Sequence, residues 1–185
     1  MLKQYFLRST IIFFFCSAFA LRSYGQTKEE IIKTIRADFQ AINNDKSLSK
    51  KTLSNEEIAP AEQLDGGLEL TGYYKSKDLV KMVHWVGLSY GNRTREFYFK
   101  NNHLFFVYEK FESFVVTKDS ASLDHSRTNT SFEGRYYFND DKLIDQKISG
   151  KRILDDGSED IVKTLLESAK DNRTILNKEK KNKGQ

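Results

Sequence analysis

The chain has 185 residues, 38 % hydrophobic, 13 % aromatic and 30 % charged, with 30 Lys and Arg against 26 Asp and Glu. A mean hydropathy of −0.61 excludes a multi-span membrane protein, and 14 Phe and 9 Tyr exclude a low-complexity disordered chain. What remains is a globular protein long enough for a real core, whose aromatic content predicts strands.

Residues 1–25 read as an export signal. Lys3 and Arg8 supply a positive start, Ile11 to Leu21 form an uncharged, largely apolar run, and Ser23 and Gly25 put small residues where a signal peptidase reads, just before Gln26. The run is shorter than the roughly 20 apolar residues of a permanent bilayer span. It also lacks the polar stripe of a surface helix. Phe15 before Cys16 is not the small residue that precedes a lipidated cysteine, so lipidation is not expected. Cleavage after Gly25 changes the charge balance. It removes Lys3, Arg8 and Arg22 from the 30 basic residues, leaving 27 against 26 acidic, a net of +1. The sequence pI near 9.0 thus belongs largely to the precursor, and the basic face that nucleic-acid binding needs is missing. Cys16 is the only cysteine, so the mature chain has no disulfide, no Cys-liganded metal and no thiol nucleophile. A secreted or periplasmic bacterial protein follows. The sequons at Asn92, Asn129 and Asn172 are read as chance matches.

Thr27-Lys28-Glu29-Glu30 is a capping box, and Ile31, Ile35, Phe39 and Ile42 recur at helical spacing, so a helix is predicted over 28–43. The polar stretch 45–66, which holds the only Pro, reads as loop. Three segments then align: Gly72-Tyr73-Tyr74-Lys75-Ser76-Lys77-Asp78-Leu79, Phe97-Tyr98-Phe99-Lys100-Asn101-Asn102-His103-Leu104 and Tyr136-Tyr137-Phe138-Asn139-Asp140-Asp141-Lys142-Leu143. Each is an aromatic strand end, a polar turn, and a Leu opening the next strand. Asn-Asn and Asp-Asp suit a tight turn because both tolerate positive φ, and Ser76-Lys77 suits it less well. Strands are predicted at 68–75, 79–89, 93–100, 103–117, 132–139 and 142–149. The first four form a meander, and a polar connection, 118–131, precedes the last hairpin. A final helix is predicted from about 158 to 176, capped by Ser158 with acidic residues around its N-terminus, on the stripe of Ile161, Leu165, Ala169 and Leu176. Lys178 to Gln185 reads as a basic disordered tail. The fold class is therefore α+β: one mostly antiparallel twisted sheet of about six strands, with an N-terminal and a C-terminal helix packed on it, all within a single domain, 26–177.

Alternation assigns the faces. Leu68, Leu70, Tyr74, Phe97, Phe99, Phe132, Tyr136 and Phe138 share the core face. The other face is polar with one Tyr per hairpin: Tyr73, Tyr98 and Tyr137. Val80, Phe105 and Ile144 fall beside those tyrosines, so this face is either partly covered or a contact surface.

The residues of chemical interest are sparse. His84, His103 and His125 have no helical i, i+4 spacing and no cysteine to complete a zinc set. Asp124, His125 and Ser126 are adjacent, which prevents the in-line row of a catalytic triad. The acidic run from Asp155 to Asp160 lacks the alternating ligands of a calcium loop. No catalytic residue, metal or organic cofactor is predicted. Glu96, Glu109, Glu112 and Glu133 offer carboxylates for a glycan hydrolase, which requires two of them across a cleft. The tyrosine row is the sharpest feature. Tyr73, Tyr98 and Tyr137 are candidate partner-binding residues, since Tyr gives large amphipathic contact at low entropy cost. Strand-forming propensity alone also accounts for them. The expected function is an exported, non-enzymatic binding or interaction module of the bacterial envelope, its partner a protein, peptide or glycan. The alternatives are an envelope glycan hydrolase, through residues such as Glu96 and Glu109, and a purely structural envelope component.

The aligned hairpin segments resemble MORN-like repeat proteins, although the turns lack the usual Gly. With the export signal and Leu70-Thr71-Gly72-Tyr73-Tyr74, they also resemble a group of exported Bacteroidota-type proteins to which no activity is attached. The resemblance, over about 68–149, implies compartment and fold class and no chemistry.

Overall fold

The computed structural model describes residues 26–59, 66–117, 122–151 and 160–182. The expected export signal, the segment with Pro60, and the Ser158 cap lie outside the described residues. In chain order the elements are α1 (Lys28–Asn44), β1 (Ser49–Leu53), a one-turn α2 (Asn55–Ile58), β2 (Leu68–Lys75), β3 (Asp78–Leu88), β4 (Gly91–Lys100), β5 (His103–Val116), β6 (Leu123–Asn139), β7 (Lys142–Gly150) and α3 (Ile161–Asn182). The strands form one seven-stranded sheet in the order β1 to β7, every neighbouring pair antiparallel. This is the α+β arrangement expected, with four differences. The stretch 45–66 is not all loop, since it supplies edge strand β1 and α2. The connection 118–131 is mostly strand, because β6 starts at Leu123 and pairs with β5 from Val116 inward. The last helix starts at Ile161, its first amides bonded to the Asp160 carboxylate at 3.1 Å. It continues to Asn182, through much of the segment read as a tail.

Local chemistry explains the elements. At α1 the Glu30 carboxylate accepts from the Thr27 amide at 2.9 Å, and Thr27 Oγ1 accepts from the Glu30 amide at 3.2 Å, satisfying two donors the helix leaves open. The turns at Asn101-Asn102 (φ 50° and 68°) and Asp140-Asp141 (φ 49° and 60°) are left-handed at both central residues, the geometry whose twist matches a hairpin. In the first hairpin only Ser76 has positive φ, at 57°.

Each of the three hairpins also shifts register two pairs before its turn: between Tyr73 and Tyr74, between Tyr98 and Phe99, and between Tyr137 and Phe138. The unpaired residues are Val80, Phe105 and Ile144. A bulge puts two consecutive side chains on one face. So Phe105 and Phe106 both enter the cluster under α1, and Lys81, Val83 and Trp85 take that face beyond the bulge in β3.

The two helices cover opposite faces. Leu165, Ala169 and Leu176 of α3 bury Leu53, Leu70, Met82, Phe97, Phe99, Tyr136 and Phe138. Ile32, Ile35 and Phe39 of α1 bury Tyr98, Phe105, Phe106 and Tyr137. Two glycines serve the α3 side. A Cβ on Gly134 would stand 2.7 Å from the Tyr136 ring, and one on Gly72 would stand 2.9 Å from the Tyr74 hydroxyl. Each tyrosine lies back over the glycine two residues before it, filling space that a side chain would need. Among the described residues no helix is long and apolar enough to cross a membrane.

Candidate functional site

The tyrosine row sits mostly beneath α1. Tyr98 is 0 % and Tyr137 3 % exposed, while Tyr73 is half-buried. Phe39 of α1 packs on Tyr98 with ring centroids 5.0 Å apart and on Phe106 at 5.2 Å, and Phe106 packs on Tyr137 at 5.1 Å. The Tyr98 hydroxyl donates to the Glu96 carboxylate and accepts from Asn43 Nδ2 at 3.1 Å. Lys81 Nζ binds Asn43 Oδ1 at 2.9 Å and Glu96 at 3.1 Å. Burial first, then the neighbouring Glu96 charge, pushes the Tyr98 hydroxyl far above its ordinary pKa of 10.0. Tyr98 is thus a neutral hydrogen-bonding post that ties the end of α1 to the sheet. The row does not form an exposed platform, and Tyr73 alone is positioned for contact from outside.

The α1 face continues beyond the helix. Cross-strand pairing sets Glu69 beside Trp85, Trp85 beside Thr94, Thr94 beside Lys110 and Lys110 beside Glu133. Trp85, Thr94, Lys110 and Glu133 are half-buried and Glu69 is exposed. Where this open half meets α1 there is a cleft of about 580 Å³, floored by Phe106, Tyr108 and Tyr137 and edged by Arg36, Lys81 and Arg135. The Tyr108 hydroxyl donates to one oxygen of Glu133, and Arg135 Nη1 approaches the other at 3.3 Å. Burial, and then that bond to an anion, raises the Tyr108 pKa from 10.0 to about 12. The same bond holds the Glu133 carboxyl below its usual range. Tyr108 stays protonated and Glu133 ionised at neutral pH, so Glu133 is engaged as an acceptor. A second cleft, of about 600 Å³, lies on another side of α1, between Ala41 and Ile42 and the turn residues Asn101 and Asn102.

Glu96 and Glu109 do not converge as a hydrolase pair. Glu96 lies on the α1 face. Glu109 lies on the α3 face, 1 % exposed, its Oε1 2.9 Å from Arg95 Nε. Two carboxylates on opposite faces of one sheet cannot flank a single glycosidic bond. Glu112 shares the α1 face and pairs with Lys110 at 2.9 Å.

The histidines are separate. His84 is on the α3 face opposite Arg95, His103 Nδ1 meets Asp141 at 2.9 Å, and the His125 ring lies 4.5 Å from that of Phe114. Asp124 is a local turn acceptor for the Ser126 hydroxyl at 2.5 Å, for Arg127 Nε at 2.6 Å and for the Ser126 amide at 2.9 Å. These bonds hold its pKa down to about 2. Among the described residues no three His, Cys, Asp or Glu side chains group as a metal site.

No protein-family model matches the chain, and no curated protein or solved structure does. Its function is therefore argued from this geometry. Sequence reasoning did not find the cleft. Its walls come from α1 and from strands far apart in the chain, and the phase change at each bulge hides which residues share the face. Two consecutive aromatics, Phe105 and Phe106, just after a turn were the available signal.

Proposed function

We propose that this chain is an exported, non-enzymatic binding module of the bacterial envelope, and that its contact surface is the α1 side of the sheet beside the helix. One observation carries the reading. Part of this face lies beyond α1, and there and at the edge of the helix it presents half-buried Trp85 and Tyr108 and a cleft instead of a uniformly charged, solvated surface. Aromatic side chains with one polar end are what recognition surfaces concentrate. The division of Glu96 and Glu109 between the two faces gives less support to a hydrolase acting through that pair. The export signal and the aromatic hairpin segments support placing the module in the periplasm or outside the cell.

The test uses purified mature protein as bait for envelope extract, with protein and small-molecule captures both read by mass spectrometry. Tyr108→Ala/Arg135→Ala opens the cleft floor without touching the α1 anchor at Tyr98. It should lose at least one component that wild type retains, while its far-UV dichroism is unchanged. Identical captures by wild type and the folded variant overturn the reading. Tyr73→Ala is a better probe of the tyrosine row than Tyr98→Ala or Tyr137→Ala, because those two remove contacts that hold α1.

A further inference from the structure

The charges around the cleft select its occupant. Arg36, Lys81 and Arg135 line it, with Glu96 as the one carboxylate among the lining residues. Lys81 and Glu96 neutralise each other at 3.1 Å. Arg135 shares Glu133 with the Tyr108 hydroxyl, so that anion is divided between two donors. Arg36 is exposed and lies over the Tyr137 ring at 5.8 Å, with no carboxylate in ion-pair range among the described residues. Arg135 is also set directly across from Lys147 in the β6–β7 ladder. Like charges so placed destabilise a sheet, and an anion between them would reverse the sign of that interaction. Between these cations the half-buried Phe39 and Tyr108 give the cleft an aromatic surface, over the buried rings of Phe106 and Tyr137. The second cleft differs, because its cations Lys75 and Lys100 are matched by Asp38 and Asp78.

We infer that the cleft binds a small amphiphilic acid, an apolar chain or ring carrying one carboxylate. Its body lies on Phe39 and Tyr108, and its carboxylate is held by Arg36 and Arg135. The volume of about 580 Å³ falls within the range of small-molecule sites, which are apolar with a few placed polar groups. A guanidinium fork is the side chain best shaped for a carboxylate. This inference rests on the proposed binding role and gives it a ligand class.

Titration calorimetry on the mature protein tests it with decanoate, decanol and acetate as probes. Decanoate should bind at one saturable site. Acetate should show no saturable binding, and decanol should bind about tenfold or more weakly than decanoate, as loss of a charge-assisted bond implies. Arg36→Gln should weaken decanoate by a similar factor with an unchanged thermal midpoint, and Arg135→Gln should do likewise. Equal affinity for decanol and decanoate, indifference to Arg36→Gln, or absence of saturable decanoate binding each overturn the inference. If decanoate fails while Tyr108→Ala/Arg135→Ala still loses an envelope component, the ligand class is wrong and the binding role stands. If both experiments fail, both readings fall.

Discussion

At the residue scale, packing on the α3 face sets the largest energies. Phe99 is 2 % exposed, sits in the α3 cluster, and has the Arg173 guanidinium 5.1 Å over its ring. Truncating such a ring removes its transfer free energy and leaves a cavity that a sheet pinned on both sides cannot close. Phe99→Ala should therefore cost about 3–5 kcal/mol in urea unfolding. A loss below about 1 kcal/mol would place the ring outside the core. The tyrosines show how the same residue type takes different work from its neighbours. Tyr136 fills the space over Gly134, Tyr98 anchors Asn43, and Tyr108 holds Glu133. Alternation placed Tyr98 and Tyr136 on opposite faces, and the structure agrees. That neither faces solvent was not legible, because that depends on where α1 lands, and a helix docks through contacts distant in sequence.

At the element scale, each of the three aligned segments forms a hairpin with a bulge at the same place, and the turn residues set how comfortably each closes. Asn101-Asn102 and Asp140-Asp141 meet the left-handed requirement with residues that tolerate it. Ser76, at φ 57°, does not tolerate it as well. Ser76→Gly should stabilise the protein by about 0.5 kcal/mol, the relief of left-handed strain exceeding the added freedom of the unfolded chain. Asn101→Ala should destabilise it by about 1 kcal/mol for the opposite reason. Paired urea midpoints check both signs, and a destabilising Ser76→Gly would mean that its side chain matters more than its backbone. The hairpins and α1 were readable because turn chemistry and apolar period agreed. β1 was not, since Ser49-Lys50-Lys51-Thr52-Leu53 has one apolar residue and looks like loop. Its lysines suit an edge strand, where charge discourages further pairing. The outer part of β6 was missed for the same reason: residues 125–130 are all exposed, so no alternation marks them.

At the scale of the whole molecule, the two faces carry different electrostatics, and the α3 side makes stability depend on pH. His84 pairs across the sheet with Leu70 on one side and Arg95 on the other. Arg95 is bonded to buried Glu109 at 2.9 Å. Burial, and then the Arg93 and Arg95 charges, lower the His84 pKa from 6.5 to about 4. The folded state therefore refuses a proton that the unfolded chain accepts between those values. Stability from this group is complete above about pH 6.5, falls as pH drops toward 4, and changes no further below that. Acidification from pH 7.5 to 5 should cost on the order of 2 kcal/mol through His84 alone. The carboxylates with lowered values, among them Glu133 and Asp145, act in a separate window, because they lose their contribution only as pH falls through the usual carboxylate range and below. His84→Gln removes the titration while keeping a polar side chain of similar length. Its urea midpoint should be nearly flat from pH 7.5 to 5, where that of wild type declines. Parallel profiles for the two proteins would show that His84 accepts its proton in the folded state and that the arginines beside it do not set its charge.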